Sequence, residues 1–334
     1  MSDGILSDNI LKVRNLTVEY RTRSGSLRAL DAIDADVRRG EILGIAGESG
    51  CGKSTLSGAL LRLIGKPHRT SGGIEFAERG DIMRLSRKEL RSYRWAEVSA
   101  VFQASQNSLN PLLRIAEQAR LVMQSHRPVP ERDVKSRVEE LLKLVNLEPA
   151  RVMNAYPHEL SGGMKQRVGI MMSLLLNPRV VILDEPTTAL DVISQALVLD
   201  ILKNVHERLA TTLIFITHDI SVIADLAQRV MVMYAGRIVE IGPVESVFFR
   251  PAHPYTAALL KSATSLDGDP LAARSIPGQP PDLRRPPPGC RFAPRCPLAV
   301  ARCRTEDPAL AEVAAGHHAA CLLAQPAKKE EARL

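Results

Sequence analysis

The stretch Gly47-Glu48-Ser49-Gly50-Cys51-Gly52-Lys53-Ser54 lies between an apolar run at Ile42–Ala46 and a segment over about 53–63 that reads as a helix. A strand, a glycine-rich turn and a helix in that order restrict the chain to an α/β architecture with the loop at a strand's C-terminal end. Gly47, Gly50 and Gly52 allow successive backbone N–H groups to turn inward around an anion, and the helix start adds its positive dipole end. Lys53 brings a point charge to phosphate oxygens, and the Ser54 hydroxyl suits a phosphate-bound Mg²⁺. Gly47, Ser49, Gly50, Cys51, Gly52, Lys53, Ser54 and Thr55 are therefore the expected phosphate-binding set. Cys51 reads as a small filler of the loop rather than a redox group.

Farther along, Val180-Val-Ile-Leu-Asp184-Glu185-Pro186 is an apolar strand that ends in two carboxylates, where strand tips meet ligand in such sheets. Asp184 is expected to hold the Mg²⁺ through its shell, and Glu185 to orient or deprotonate an attacking water. Leu160-Ser161-Gly162-Gly163-Met164-Lys165-Gln166 precedes an apolar helical run, so Ser161, Gly162 and Gly163 make a second anion site at a helix start. Two such sites in one chain imply either two nucleotides or one that is shared.

The rest of the pattern supplies the scaffold. Residues 11–102 read as short strands and turns followed by the strand, loop and helix above, and 104–178 as helices. Within 132–147, Val134, Val138, Leu141, Leu142 and Val145 recur at helical spacing. Strand and helix then alternate: Val180 to Leu183, a helix over about 193–209, Thr212 to Thr217, and a helix after Asp219. That is a mostly parallel sheet interrupted by a helical insertion. Val230 to Tyr234 and Arg237 to Ile241 read as a hairpin across Ala-Gly. Prolines accumulate beyond Phe249, so the tail reads as a small accessory domain rather than more sheet.

Composition excludes several classes. Aromatic content of 4% is poor for stacking single-stranded nucleic acid, and the net charge of +7 is dispersed rather than gathered into a basic run, so no nucleic-acid partner is expected. The longest mostly apolar run, 168–176, is about half of the ~20 residues a spanning helix needs. The first residues lack a basic start, an apolar core and a small-residue cleavage site, which predicts a cytosolic chain. In that compartment Cys290, Cys296, Cys303 and Cys321 are metal ligands or free thiols rather than disulfides. Their spacing lacks the usual zinc knuckle and differs from ferredoxin patterns, so zinc, an iron–sulfur cluster and unmetallated thiols all stay open.

The P-loop, Gln103 after Val-Phe, L-S-G-G-M-K-Q, the Asp184-Glu185 pair, Ala189-Leu190-Asp191 and Thr217-His218-Asp219 stand in the order of the ABC ATPase family, which this chain resembles over nearly its whole length. The resemblance implies a P-loop (RecA-like) core with an antiparallel β subdomain, an inserted helical subdomain at about 104–178 and a small Cys-containing C-terminal domain. It divides the chain into a nucleotide-binding domain at 8–250 and an extension at 251–334. It implies ATP hydrolysis in a two-chain sandwich, the signature at Ser161 closing over the γ-phosphate held by the other subunit. By the same likeness Gln103 reaches Mg²⁺ and the water, His218 the γ-phosphate, Asp191 communicates across the dimer, and Tyr20 lies against adenine.

His253-Pro254-Tyr255-Thr256, Ser108-Leu109-Asn110-Pro111, Met233-Tyr234-Ala235-Gly236-Arg237 and G-C-R-F-A-P-R-C-P are similar to the oligopeptide and dipeptide importers, some of which carry a [4Fe-4S] cluster in this extension. Ala104 and Ser105 depart from that group, where an Asp-Pro pair is usual. The expected partners are a second ABC ATPase subunit, two transmembrane permeases and an extracytoplasmic solute-binding protein, with the chain peripheral on the cytoplasmic face of the cell membrane. Peptides, nickel complexes and oligosaccharides are the cargoes of such relatives. The other readings are a soluble ABC ATPase acting on nucleic acid or ribosomes, a P-loop kinase and an exporter motor. The first would bring long coiled coils or tandem cassettes, and the second would need its own phosphate-acceptor site and would not carry the L-S-G-G-M-K-Q signature.

Overall fold

Val98–Val101, Val180–Asp184 and Thr212–Ile216 are short, mainly apolar runs that pair in parallel, Val98 opposite Val180 and Val180 opposite Thr212. Every residue of the second and third strands is buried, as strands covered on both faces require. The structure is a computed structural model that describes residues 8–23, 25–65, 68–103, 108–188, 190–264 and 276–324. The departure at Ala104 and Ser105, and Ala189 of the Ala-Leu-Asp motif, lie outside the described residues. Packing divides the chain into two units, and these three strands belong to one built mainly from Asp81–Ile216 together with Arg38–Ile42.

That unit also carries the helices Ile115–His126, Glu131–Leu144, Pro149–Asn154 and Gly162–Ser173 ahead of the second strand, and Val192–Leu209 after it. The apolar stripe is a packing face: Val134, Val138, Leu141, Leu142 and, just beyond the helix, Val145 are buried. It packs Glu131–Leu144 against the other three helices of the insertion. Each fully buried leucine or valine there is worth about 1.5–3 kcal/mol. The short Pro149–Asn154 helix starts where Pro149 needs no N–H partner and the Glu148 carboxylate accepts from the amides of Ala150 and Arg151.

The second unit comprises Asn9–Val37, Leu43–Gly80 and the chain from Thr217 onward. Its antiparallel sheet orders Gly25–Arg38, Asn9–Thr22 and His68–Phe76. The first two strands are 14 residues each, longer than the short strands expected. An irregularity between Arg14 and Thr17 lets the pairing with His68–Phe76 continue past it instead of ending the strand. In the same unit Leu43 to Ala46 pair in parallel with Arg229–Tyr234, Ala46 opposite Val232, and Arg229–Tyr234 forms the expected hairpin with Arg237–Pro243.

The tail corrects one expectation, because it does add sheet. His317–Ala319 pairs antiparallel with Arg237–Pro243, and Ala311–Ala314 pairs with His317–Ala319. Proline density from 276 to 290 obscured this, since the strands come after it and are only a few residues long. Among the described residues, apolar side chains of the tail join the core of the preceding hairpin. Phe292 packs into one cluster with Val232, Tyr234, Val239, Val247 and Tyr255. Glu240, wholly buried, accepts from the amides of Ala252 and His253 at 2.7 and 3.0 Å and pairs with His317 Nε2 at 2.7 Å. A buried carboxylate with several donors is stable where an unpaired one would not be.

Candidate nucleotide site

The phosphate loop follows Ile42–Ala46 and leads into the helix Lys53–Leu60. Gly47 has φ +146° and could not carry a side chain, since a Cβ there would stand 2.2 Å from the carbonyl oxygen of Met233. Gly52, at φ +110°, would bring a Cβ within 2.6 Å of the Ala29 carbonyl oxygen. Both positions need glycine for conformation and for space. Lys53 is buried and its Nζ donates to the carbonyls of Gly47 and Glu48 at 2.6 and 3.2 Å. Ser49, Gly50 and Ser54 are exposed and Thr55 half-buried, so the Ser54 hydroxyl is open to a metal-bound phosphate. Burial pushes the Cys51 thiol up, with Lys53 acting in the opposite sense. A buried, protonated thiol is inert, which fits a filler.

In the other unit Asp184 is the buried last residue of Val180–Asp184. Glu185 follows in the left-handed region, φ +50°, with its amide donating to Ile216 O at 2.9 Å. That turn aims the carboxylate at Gln103, whose Nε2 donates to Glu185 Oε2 at 3.0 Å, while Thr188 Oγ1 donates to the same oxygen at 2.9 Å. Two residues chosen from separate motifs thus meet. A carboxylate and an amide oxygen are hard donors suited to Mg²⁺, so Asp184 and Gln103 of this unit have the donor types such an ion takes; the Ser54 hydroxyl of the other unit is a hard donor as well.

Ser161 caps the helix Gly162–Ser173, accepting from Met164 N at 3.3 Å, and Ser161 and Gly162 are exposed. Asp191 caps Val192–Leu209 and accepts from the amide and hydroxyl of Ser194 at 2.9 and 2.8 Å. The Ser194 amide, then its hydroxyl, hold the Asp191 carboxyl below its ordinary value. A Cβ on Gly163 would meet Ser194 Oγ at 3.3 Å, so the Ser161 motif and the Asp191 motif touch through Ser194. Sequence reading missed Ser194; its place at the third helical position after an Asp cap was the available signal. In the unit of the phosphate loop, His218 is exposed beside Thr217, whose amide donates to Ile45 O at 3.2 Å. Tyr20 is half-buried opposite His68.

Cys290, Cys296, Cys303 and Cys321 all line one cavity of about 10 Å³. Burial raises the thiols of Cys290 and Cys296. Among the described residues no group of three or more His, Cys, Asp or Glu side chains is arranged to hold a metal ion. The expected [4Fe-4S] cluster therefore has its four thiols on one cavity but no ready-made cage. The space between them is on the order of one water-sized sphere, so a cluster would require the cysteine segments to spread.

Two families match this sequence: ABC transporter over residues 30–188, and oligopeptide/dipeptide transporter, C-terminal region, over residues 239–303. A probable peptide ABC transporter ATP-binding protein of Sinorhizobium fredii is 42% identical over 96% of this chain and 97% of its own length. An oligopeptide transport ATP-binding protein of Escherichia coli is 41% identical over 94% of this chain and 93% of its own. An ATP-binding cassette solved as a dimer in a post-hydrolysis state with ADP and Pi superposes with a TM-score of 0.63 at 29% identity, covering 70% of this chain and 98% of that one.

Proposed function

The chain belongs to the ATP-binding subunits of ABC transporters that carry the oligopeptide/dipeptide-type C-terminal region, and from that premise we propose that it energises peptide uptake. It is an ATPase of the P-loop α/β fold and acts with separate membrane subunits. The observation that carries the peptide reading is the presence of both the cassette and the oligopeptide/dipeptide region in one chain, alongside 42% identity to a peptide transporter subunit over 96% of the length. No finding favours the nucleic-acid or ribosome reading. No described helix is long and apolar enough to cross a membrane.

In the finer reading, 8–250 is the nucleotide-binding domain with its helical subdomain at about 104–178, and 251–334 is the extension. The subunit pairs with itself or a paralogue on the cytoplasmic face, beneath two permeases fed by an extracytoplasmic binding protein. Gly47, Ser49, Gly50, Cys51, Gly52, Lys53 and Thr55 hold the phosphates, Ser54, Gln103 and Asp184 the Mg²⁺, and Tyr20 the adenine. Glu185 activates water, His218 contacts the γ-phosphate, Asp191 signals across the dimer, and Ser161, Gly162 and Gly163 close on the partner's nucleotide. ATP adds γ-phosphate contacts to both halves and hydrolysis removes them, and that differential affinity drives the membrane subunits between states. Cys290, Cys296, Cys303 and Cys321 are read as ligands of a [4Fe-4S] cluster, with zinc or free thiols as the alternatives; all four line one cavity, which must widen to take a cluster.

Reconstitution with both permeases and the binding protein in liposomes tests the cargo. Peptide-loaded binding protein is expected to stimulate ATP hydrolysis and uptake. Stimulation by a nickel complex or an oligosaccharide but not by peptides would overturn it.

A further inference from the structure

Glu48, the second residue of the phosphate loop, is gripped from two directions by the C-terminal extension. Its backbone N–H donates to Tyr255 Oη at 2.9 Å. Its carboxylate receives Arg295 in a two-point pair, Nη1 to Oε2 at 2.7 Å and Nη2 to Oε1 at 2.9 Å. The guanidinium is itself immobilised: Nε donates to Pro277 O at 2.8 Å, Nη2 to Ile276 O at 3.0 Å and Nη1 to Tyr234 Oη at 3.2 Å. All five N–H donors of an arginine are then used, with its side chain 5% exposed. Tyr255 is fixed as firmly. It is buried, its amide donates to His253 Nδ1 at 3.0 Å, and its ring packs on Tyr234 and Phe292 with centroids 4.5 and 5.4 Å away.

We infer that Arg295 and Tyr255 are positioning residues for ATP binding, clamping Glu48 so that the phosphate loop is held in its binding shape. The inference rests on the assignment of this loop to ATP. A glycine-rich loop loses conformational freedom when it wraps phosphates, and that loss opposes binding. Anchors that fix it beforehand lower that cost and so raise affinity. Other contacts finish the frame, since Gly236 N donates to Cys51 O at 2.9 Å and the Met233 carbonyl lies against Gly47. Lys53 Nζ rests on the Glu48 carbonyl as well, so displacement of Glu48 also displaces the lysine. Burial and the Arg295 carboxylate pair act together here because a two-point guanidinium–carboxylate bond fixes orientation as well as distance.

The test measures Kd for ATP, and KM against kcat, on the full chain and in the reconstituted transporter. Arg295→Ala and Glu48→Gln are each expected to weaken ATP binding about tenfold, with kcat at saturating ATP changed far less. Arg295→Lys, which keeps charge but not the fork, is expected to behave like Arg295→Ala. The double variant is expected to match the single ones, since both remove one interaction. Tyr255→Phe deletes a single oxygen and is expected to weaken binding severalfold. Should Arg295→Ala fail to fold, Glu48→Gln and Tyr255→Phe carry the test, because neither removes tail packing. Wild-type affinity in Glu48→Gln and Tyr255→Phe, or singles that multiply to about a hundredfold in the double, would overturn the clamp. Absence of ATP binding by the wild type would instead overturn the assignment of the loop.

Discussion

Gln103 Nε2 donates to Glu185 Oε2 across 3.0 Å, joining the residue that follows Val98–Val101 and Phe102 to the one that follows Val180–Asp184. Those strands are neighbours in register, Val101 opposite Leu183, so the two side chains leave adjacent strand ends on the same edge. Thr188 Oγ1 adds a second donor at 2.9 Å. The carboxylate is therefore oriented by two donors, the Gln103 amide and the Thr188 hydroxyl. Glu185→Gln is predicted to lower turnover by at least about a hundredfold, within the range of a lost general base. ATP binding is expected to survive, because Lys53, Ser54 and Asp184 are untouched, and ATP is expected to trap a closed dimer. ATPase rate and ATP-dependent dimerisation check this; turnover near wild type would remove Glu185 from the role.

Ser161→Arg is predicted to block hydrolysis in trans. Ser161 is exposed at the start of Gly162–Ser173, and a long cation there would obstruct a γ-phosphate presented by another subunit. Mixed dimers with Ser161→Arg in one chain and Lys53→Ala in the other localise the defect. A defect that follows the Ser161 chain's own nucleotide would contradict the sandwich.

Much of this was legible in the sequence because the signals are local. Gly47 to Ser54, the apolar strand ending at Asp184 and the 134-138-141-142 stripe each declare themselves within a few residues. What stayed hidden joins distant segments: Arg295 to Glu48 across 247 positions, Tyr255 to the same residue across 207, and Glu240 to His317 across 77. Periodicity carries no information about such pairs. The tail strands were missed because three or four residues show too little alternation to separate from loop.

Stability is predicted to fall as pH drops from 6.5 toward 4, through His253. Burial lowers its pKa from 6.5 to about 4, and its Nδ1 must stay unprotonated to accept from Tyr255 N. Above 6.5 the ring is neutral in both folded and unfolded chains, so the full stability is present. Below it the unfolded chain takes up a proton that the folded one refuses until about 4, which draws the equilibrium toward unfolding. The loss amounts to about 3 kcal/mol. An asparagine side chain keeps an acceptor without titrating, so His253→Asn is expected to flatten this part of the urea-unfolding profile between pH 7 and 4.5. Equal pH slopes for the two proteins would refute it.

Cys290 N donates to Cys303 O at 2.9 Å, which already fastens two of the four cysteine segments, and Cys321 follows the short strand His317–Ala319 that is itself paired to Arg237–Pro243. These backbone bonds hold the segments at their present close spacing, so a cluster has to displace part of them. Burial raises the thiols of Cys290 and Cys296, so metal uptake must release protons and is expected to strengthen as pH rises. Anaerobically purified protein is predicted to contain about four iron and four sulfide per chain, and Cys303→Ser to lose most of both. Cys51 is expected to contribute nothing, since it is buried in the phosphate loop, and Cys51→Ala should leave the metal content unchanged. One zinc per chain without sulfide would replace the cluster by a four-thiolate ion site, which the narrow cavity accommodates with less movement. Absence of stoichiometric metal in the anaerobic wild type would leave four packed thiols, with the tail held by contacts such as those of Phe292, Glu240 and Arg295.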